Sequence, residues 1–190
     1  FKRSATYGAM IGGLSLVVLF AVPWVKAWPP FSLAIPILAY GGLFVFGLWA
    51  FFEALKRSEA SQVVPVVGSL IPLFTLLGTW IFLGERLTGG ELIGFGFLIM
   101  ATVILTGGKK TSPRPLMLLS AILFAASFVA GKFAYEHADF LGVFVSSRAI
   151  AGFFGVMIGA LHTGARQELL VLISPLRRGS ERGYRLYDVL

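Results

Sequence analysis

Six stretches of this chain run 17 residues or more without a charge: Ser4–Val25, Ala27–Phe52, Ala60–Gly84, Leu92–Gly108, Pro115–Gly131 and Ala149–Ala165. About 20 apolar residues cross the hydrocarbon core of a bilayer. A soluble domain would have to bury all six with only 13% charged residues to cover its surface, against a usual share of about a quarter. A secretory leader has one short apolar region, so it does not account for six. Barrel strands would be near ten residues long and alternate in polarity, whereas these runs are longer and continuous. Helices satisfy their own backbone polar groups in lipid. The expected fold is therefore all-α, a polytopic transmembrane helix bundle.

The pattern predicts helices over Thr6–Val25, Leu33–Ala54, Ser61–Leu83, Gly90–Leu105, Leu116–Phe133 and Phe140–Leu161. Short linkers of turn formers separate them, among them Trp28-Pro29-Pro30, Arg57-Ser58-Glu59, Gly84-Glu85-Arg86 and Lys109-Lys110-Thr111-Ser112-Pro113. Sequential helices should then be antiparallel neighbours. Pro65 and Pro72 fall on one face of the third helix, so a bend or irregularity is expected near one of them. Small residues recur at helical spacing in Gly8/Gly12, Gly155/Gly159 and Gly94/Ala101. They let membrane helices approach closely, within the bundle or across a homodimer. From Arg166 the chain changes character, and Arg177–Leu190 is polar and arginine-rich with no spanning run. The start at Phe1, directly on Lys2-Arg3, fits a piece of a longer protein.

The net charge of +7 would in a soluble protein raise the question of nucleic acid. Here the basic residues sit between apolar runs, where they face lipid headgroups, so no nucleic-acid partner is expected. Cysteine is absent, which removes thiolate chemistry and cysteine metal sites. His137 and His162 have no partner at metal spacing, and no phosphate loop, nucleophile elbow or zinc helix motif occurs. No metal, cofactor or enzymatic activity is expected.

Ala54–Leu105 carries a more specific signal. It holds Ala54-Leu55-Lys56, Ser61-Gln62-Val63-Val64-Pro65, Leu70-Ile71-Pro72, Leu83-Gly84-Glu85-Arg86-Leu87 and a glycine-marked last helix at Gly94. This resembles the second half of an EamA repeat, from the drug/metabolite transporter superfamily. Ala125–Lys132 with Asp139 and Arg148 resembles the opening of a second repeat. The resemblance covers about Arg3–Leu161 and is most specific at Gly84-Glu85. It implies ten helices in a five-plus-five inverted-repeat transporter, of which this chain holds helices two to seven. Residues 1–107 would be the first repeat without its first helix, and 108–190 the start of the second, cut after two helices. Glu53, where the family usually has an aromatic residue, and Ala101, in place of a usual glycine, depart from the pattern. An odd number of helices per repeat turns the second copy upside down, and aligning Arg3 with Arg148 gives such an offset of five helices.

A cavity between such helices needs polar lining. The candidates for substrate contact are Tyr40, Trp49, Glu53, Gln62, Ser69, Thr75, Ser127 and Lys132. Intramembrane ionisable groups are costly and often functional. Glu53, however, lies about a turn from its helix end, where pairing with Lys56 or Arg57 is the plainer reading. Lys132 ends an apolar run, so its stem should snorkel to the interface. Glu85 suits the N-terminus of the fourth helix. The combined expectation is a multi-pass cell-membrane transporter, a permease or exporter moving small metabolites or drug-like compounds by alternating access about a central site. The alternatives are a non-transporting subunit or a membrane-embedded enzyme, which would need facing polar groups that are scarce here.

Overall fold

The computed structural model describes residues 4–86, 88–105 and 115–161. They form six apolar helical segments, with no strand among the described residues. Four stretches are long and apolar enough to cross a membrane: Phe31–Arg57, Ala60–Leu83, Pro115–His137 and Phe140–Leu161. Ala9–Trp24 and Gly89–Ala101 are shorter apolar helices. The His162 and Arg166–Leu190 readings lie outside the described residues, as do Lys109, Lys110 and Arg114.

The first segment does not run as one α-helix. Helix α1 covers Ser4–Leu14 and continues as a 3₁₀ helix over Ser15–Trp24. At the changeover the Ser15 hydroxyl donates to the Ile11 carbonyl at 3.0 Å, a back-bond that competes with the α-helical ladder. The 3₁₀ winding rises about 2.0 Å per residue against 1.5 Å in an α-helix, so this segment gains length without residues.

Helices α2 (Ala34–Arg57) and α5 (Pro115–His137) form the spine of the bundle. Two serines on α5 bolt them together. Ser120 donates to the Gly47 carbonyl at 3.1 Å and Ser127 to the Tyr40 carbonyl at 2.8 Å. Both serines are fully buried. Their spacing matches the spacing of the two carbonyls in reverse order, which fixes an antiparallel register. Such polar bonds hold membrane helices together where the lipid is as apolar as the side chains.

Helix α6 (Phe140–Leu161) crosses α1 by backbone contact. A Cβ built on Gly12 would lie 2.6 Å from the Gly155 Cα, and one on Gly155 would lie 2.5 Å from the Gly12 Cα. Neither position has room for a side chain. The small-residue spacing read from the sequence thus serves a crossing inside the chain, whereas a Cβ on Gly94 would meet nothing within 4 Å.

Helix α3 (Ala60–Gly78) and helix α4 (Gly89–Leu105) complete the bundle. The expected irregularity in the third helix is displaced. The α-helical run passes through Pro65 and Pro72, and the departure comes at Thr79–Leu83, which winds as a π-helical turn. A wide turn of this kind is a frequent feature of functional sites. Two small apolar cores close the ends. One joins Ala54, Val63, Val66, Val67, Met117 and Ala121, and the other Leu33, Ile37, Ala134 and Val143.

Candidate functional site

Gly84 ends the π-helical turn in the left-handed conformation, φ 70°, which residues with a Cβ rarely adopt. The reversal swings Glu85 back towards α5, where its carboxylate forms an ion pair with the Lys132 ammonium. Lys132 was expected to snorkel to the interface, with pairing to an anionic group as the alternative, and it stands half-exposed and paired. It sits five residues before the end of α5, and its charge is met by a carboxylate 47 positions earlier in the chain. Nor does Glu85 cap α4. That role belongs to Thr88 and Glu91: the Thr88 N–H and hydroxyl donate to the Glu91 carboxylate at 2.7 and 2.8 Å, and the Glu91 N–H donates to Thr88 Oγ1 at 3.4 Å. This is a capping box, and Thr-x-x-Glu before an apolar run was its sequence signal.

The ion pair stands at the junction of two clefts. The larger, about 730 Å³, opens between α3, α4 and α5. Its polar lining is Thr75, Thr79, Glu85, Arg86, Thr88, Glu91 and Lys132, with Phe95 and Phe128 among the apolar groups. Thr75 donates to the Ile71 carbonyl at 2.8 Å and Thr79 to the Leu76 carbonyl at 3.0 Å. Each hydroxyl is thus satisfied as a donor and keeps lone pairs for an incoming N–H or O–H. Pro72 also lines this cleft, and its ring removes the donor that the Gly68 carbonyl would otherwise have.

The smaller cleft, about 410 Å³, is lined by Tyr40, Phe128, Gly131, Lys132, Tyr135 and Glu136. Phe128 and Lys132 face both. Gly131 makes room for the Tyr40 ring, which would lie 3.0 Å from a Cβ at that position. Tyr40 and Tyr135 meet edge to face with centroids 5.9 Å apart. Behind them stands Arg148 of α6, its guanidinium 5.8 Å from the Tyr40 centroid, 4.8 Å from that of Phe44 and 5.6 Å from that of Phe144.

The structure therefore divides the eight residues singled out from the sequence. Thr75 and Lys132 line the larger cleft and Tyr40 the smaller. Ser127 lines neither, being buried in its bond to the Tyr40 carbonyl. Ser69 bonds back to the Val66 carbonyl at 3.0 Å. Glu53 and Gln62 belong to the opposite end of the bundle, around the turn from α2 to α3, Trp49 lies about two turns inside α2, and none of the three lines either cleft. Glu53 accepts from Arg57 at 2.8 Å and lies 3.8 Å from Lys56, an ion-paired cluster at a helix end. Sequence reading did not count Tyr135 or Arg148 among the site candidates, although Arg148 entered the repeat comparison. Arg148 had a visible signal, a charge eight residues inside a predicted span. Tyr135 had none, since an aromatic residue near a helix end also suits the interfacial belt.

Comparison with known proteins points to a transporter family. The model of the EamA-like transporter family matches residues 3–107. Two curated relatives, each an S-adenosylmethionine/S-adenosylhomocysteine transporter of Chlamydia trachomatis, from serovars L2 and D, are 29% identical over 100 residues. The match takes in 50% of this chain and 30% of each relative, so the chain spans under a third of their length. No solved structure matches it.

Proposed function

The chain belongs to the EamA-like transporter family, and from that premise we propose that it moves small metabolites across the cell membrane by alternating access, through the paired clefts that flank α5, one against α3 and α4 and the other against α2. Family membership and the transporter relatives support a multi-pass membrane transporter. The observation that carries the finer reading is the larger cleft: about 730 Å³, walled by apolar helices yet furnished with threonines, two carboxylates and two cations. That volume lies within the usual range for small-molecule sites. Polar groups in hydrocarbon are costly unless paired or wet, so a lining of this kind suits a water-filled path.

Residues 1–107 form the first repeat in this reading, and the second begins near 108 in inverted orientation. The Glu85–Lys132 pair links the α3–α4 turn to α5. Parting it would swing α3 and α4 away from α5 and join the two clefts that Lys132 separates. S-adenosylmethionine, named for the relatives with S-adenosylhomocysteine, carries a carboxylate, an ammonium, a sulfonium and an aromatic ring system. It matches a cleft bearing both charge signs and phenylalanines, and it heads the candidate cargo panel with other zwitterionic metabolites.

The test is flux in vesicles reconstituted with the full-length protein. Uptake or exchange of one panel member above protein-free vesicles supports the reading. So does labelling of Thr75→Cys and Thr79→Cys by a water-soluble maleimide. No flux for the whole panel, with both thiols unreactive, would sink it.

A further inference from the structure

Of the cations near the two clefts, Lys132 is neutralised by Glu85 and Arg86 is exposed at the mouth. Arg148 is neither. It is partly buried, eight residues past Phe140 in an apolar span, which places its Cα about 12 Å along the helix. Among the described residues no carboxylate pairs with it. Its surroundings are rings: Tyr40, Phe44 and Phe144. Aromatic faces attract a guanidinium but leave its in-plane N–H donors unused. A charged, donor-rich group held at this depth without an anion is costly unless an anion arrives.

The smaller cleft lies on the far side of two of these neighbours. Tyr40 and Tyr135 line the smaller cleft and both interact with Arg148. Tyr135 also interacts with Ser147, one residue before the arginine. The cleft wall nearest the guanidinium is thus built of two phenols, which interact with each other and share an O–H to turn towards an oxyanion, and of Phe128, which is apolar. Other charges face this space: Lys132, already paired, and Glu136 on the rim.

We propose that Arg148, with the hydroxyls of Tyr40 and Tyr135, is the subsite for an oxyanion at one end of the cargo, a carboxylate or a phosphate, and that the neighbouring rings receive an aromatic body. The inference rests on the transport reading and names the cargo class for it. A planar guanidinium presents a fork of donors suited to either oxyanion. Glu136 would disfavour a second anionic group and favour a cationic one beside the first.

The chain's lack of cysteine makes a labelling test clean. Phe128→Cys places one thiol where the clefts meet, and a water-soluble maleimide reports its access. The probes are 3-phenylpropionate, its uncharged amide, and 2-phenylethyl phosphate. Either anion should slow labelling about tenfold more than the amide, the scale of a hydrogen bond to a charged group. The better anion identifies carboxylate or phosphate as the preferred end. Adding Arg148→Gln should abolish the protection, and adding Arg148→Lys should keep part of it. The acid–amide contrast with Arg148 intact stands even if a variant misfolds. Equal protection by acid and amide, or protection that survives Arg148→Gln, overturns the proposal. Protection in maltoside micelles that disappears in phospholipid vesicles overturns it too, by assigning Arg148 to a lipid phosphate. A thiol that no reagent reaches under any condition counts against the transport reading itself.

Discussion

Glycine does opposite things on the two sides of this bundle. Where α1 crosses α6, Gly12 and Gly155 bring the backbones together, and Gly41 of α2 lies against the Ser147 carbonyl. On α3 and α4, Gly78 is the exception, its Cβ falling 2.7 Å from Val129 Cγ2, while a Cβ on Gly68, Gly89, Gly90, Gly94 or Gly96 would meet nothing within 4 Å. Ile93, Phe97 and Ile104 of α4 are all exposed. The first side is fixed by contacts that admit no extra atom, and the second leaves a cleft. Close-packed seams have discrete arrangements and resist gradual deformation, while sparsely packed elements open at low cost. A cargo path that must open and close therefore belongs beside α3 and α4, where the charged and hydroxyl groups are found.

The sharpest way to break this contrast is Gly12→Val. It forces methyl groups into the Gly155 backbone, and we expect a loss of about 3 kcal/mol, the upper end for overpacking. Thermal unfolding in detergent reads it, with Gly94→Val as a control that should scarcely move. Equal destabilisation by the two would show that the sides are packed alike. Next in size is the junction. Glu85→Lys sets two cations against each other, and vesicle flux should fall about tenfold or more, since like charges in contact cost several kcal/mol. Adding Lys132→Glu should restore most of it. Failure of that rescue, with both proteins folded, would remove the pair from the opening movement.

Smaller effects sharpen the picture. Thr88→Ala removes the capping box of α4 and should cost about 1 kcal/mol, read as lost protection of the first-turn amides against hydrogen exchange. Ser120→Ala deletes one α2–α5 bolt and should cost about 0.6 kcal/mol, typical of such bonds between membrane helices. Glu53→Gln should cost least, within about 0.5 kcal/mol, because the Arg57 half of its ion pair is mostly solvated. Flux should be unchanged by it. A large loss of transport in Glu53→Gln would place the site at the other end of the bundle.

Much of this was legible in the chain alone. Charge-free runs set the number and approximate ends of the helices, since lipid excludes both charge and unpaired backbone, and each such run must become a helix. Phe140–Leu161 was read without error, and α5 only stopped short, because Lys132 looked like a terminus when its partner Glu85 lay 47 positions away. Pairings of that kind decided the site. Ser127 and Thr75 are both hydroxyls on apolar helices, and nothing local says that one fastens α5 to α2 while the other borders the cleft. Helical periodicity assigns a residue to a face, but its neighbour there is set by the crossing of another helix. Gly12 meeting Gly155, Ser127 meeting Tyr40 and Arg148 meeting Tyr40 and Phe44 are all contacts between distant stretches. Local composition fixed what each helix is made of and that four of them are long and apolar enough to cross a membrane. Which of its polar groups became fastenings, and which came to line a path, followed only from how the helices pack.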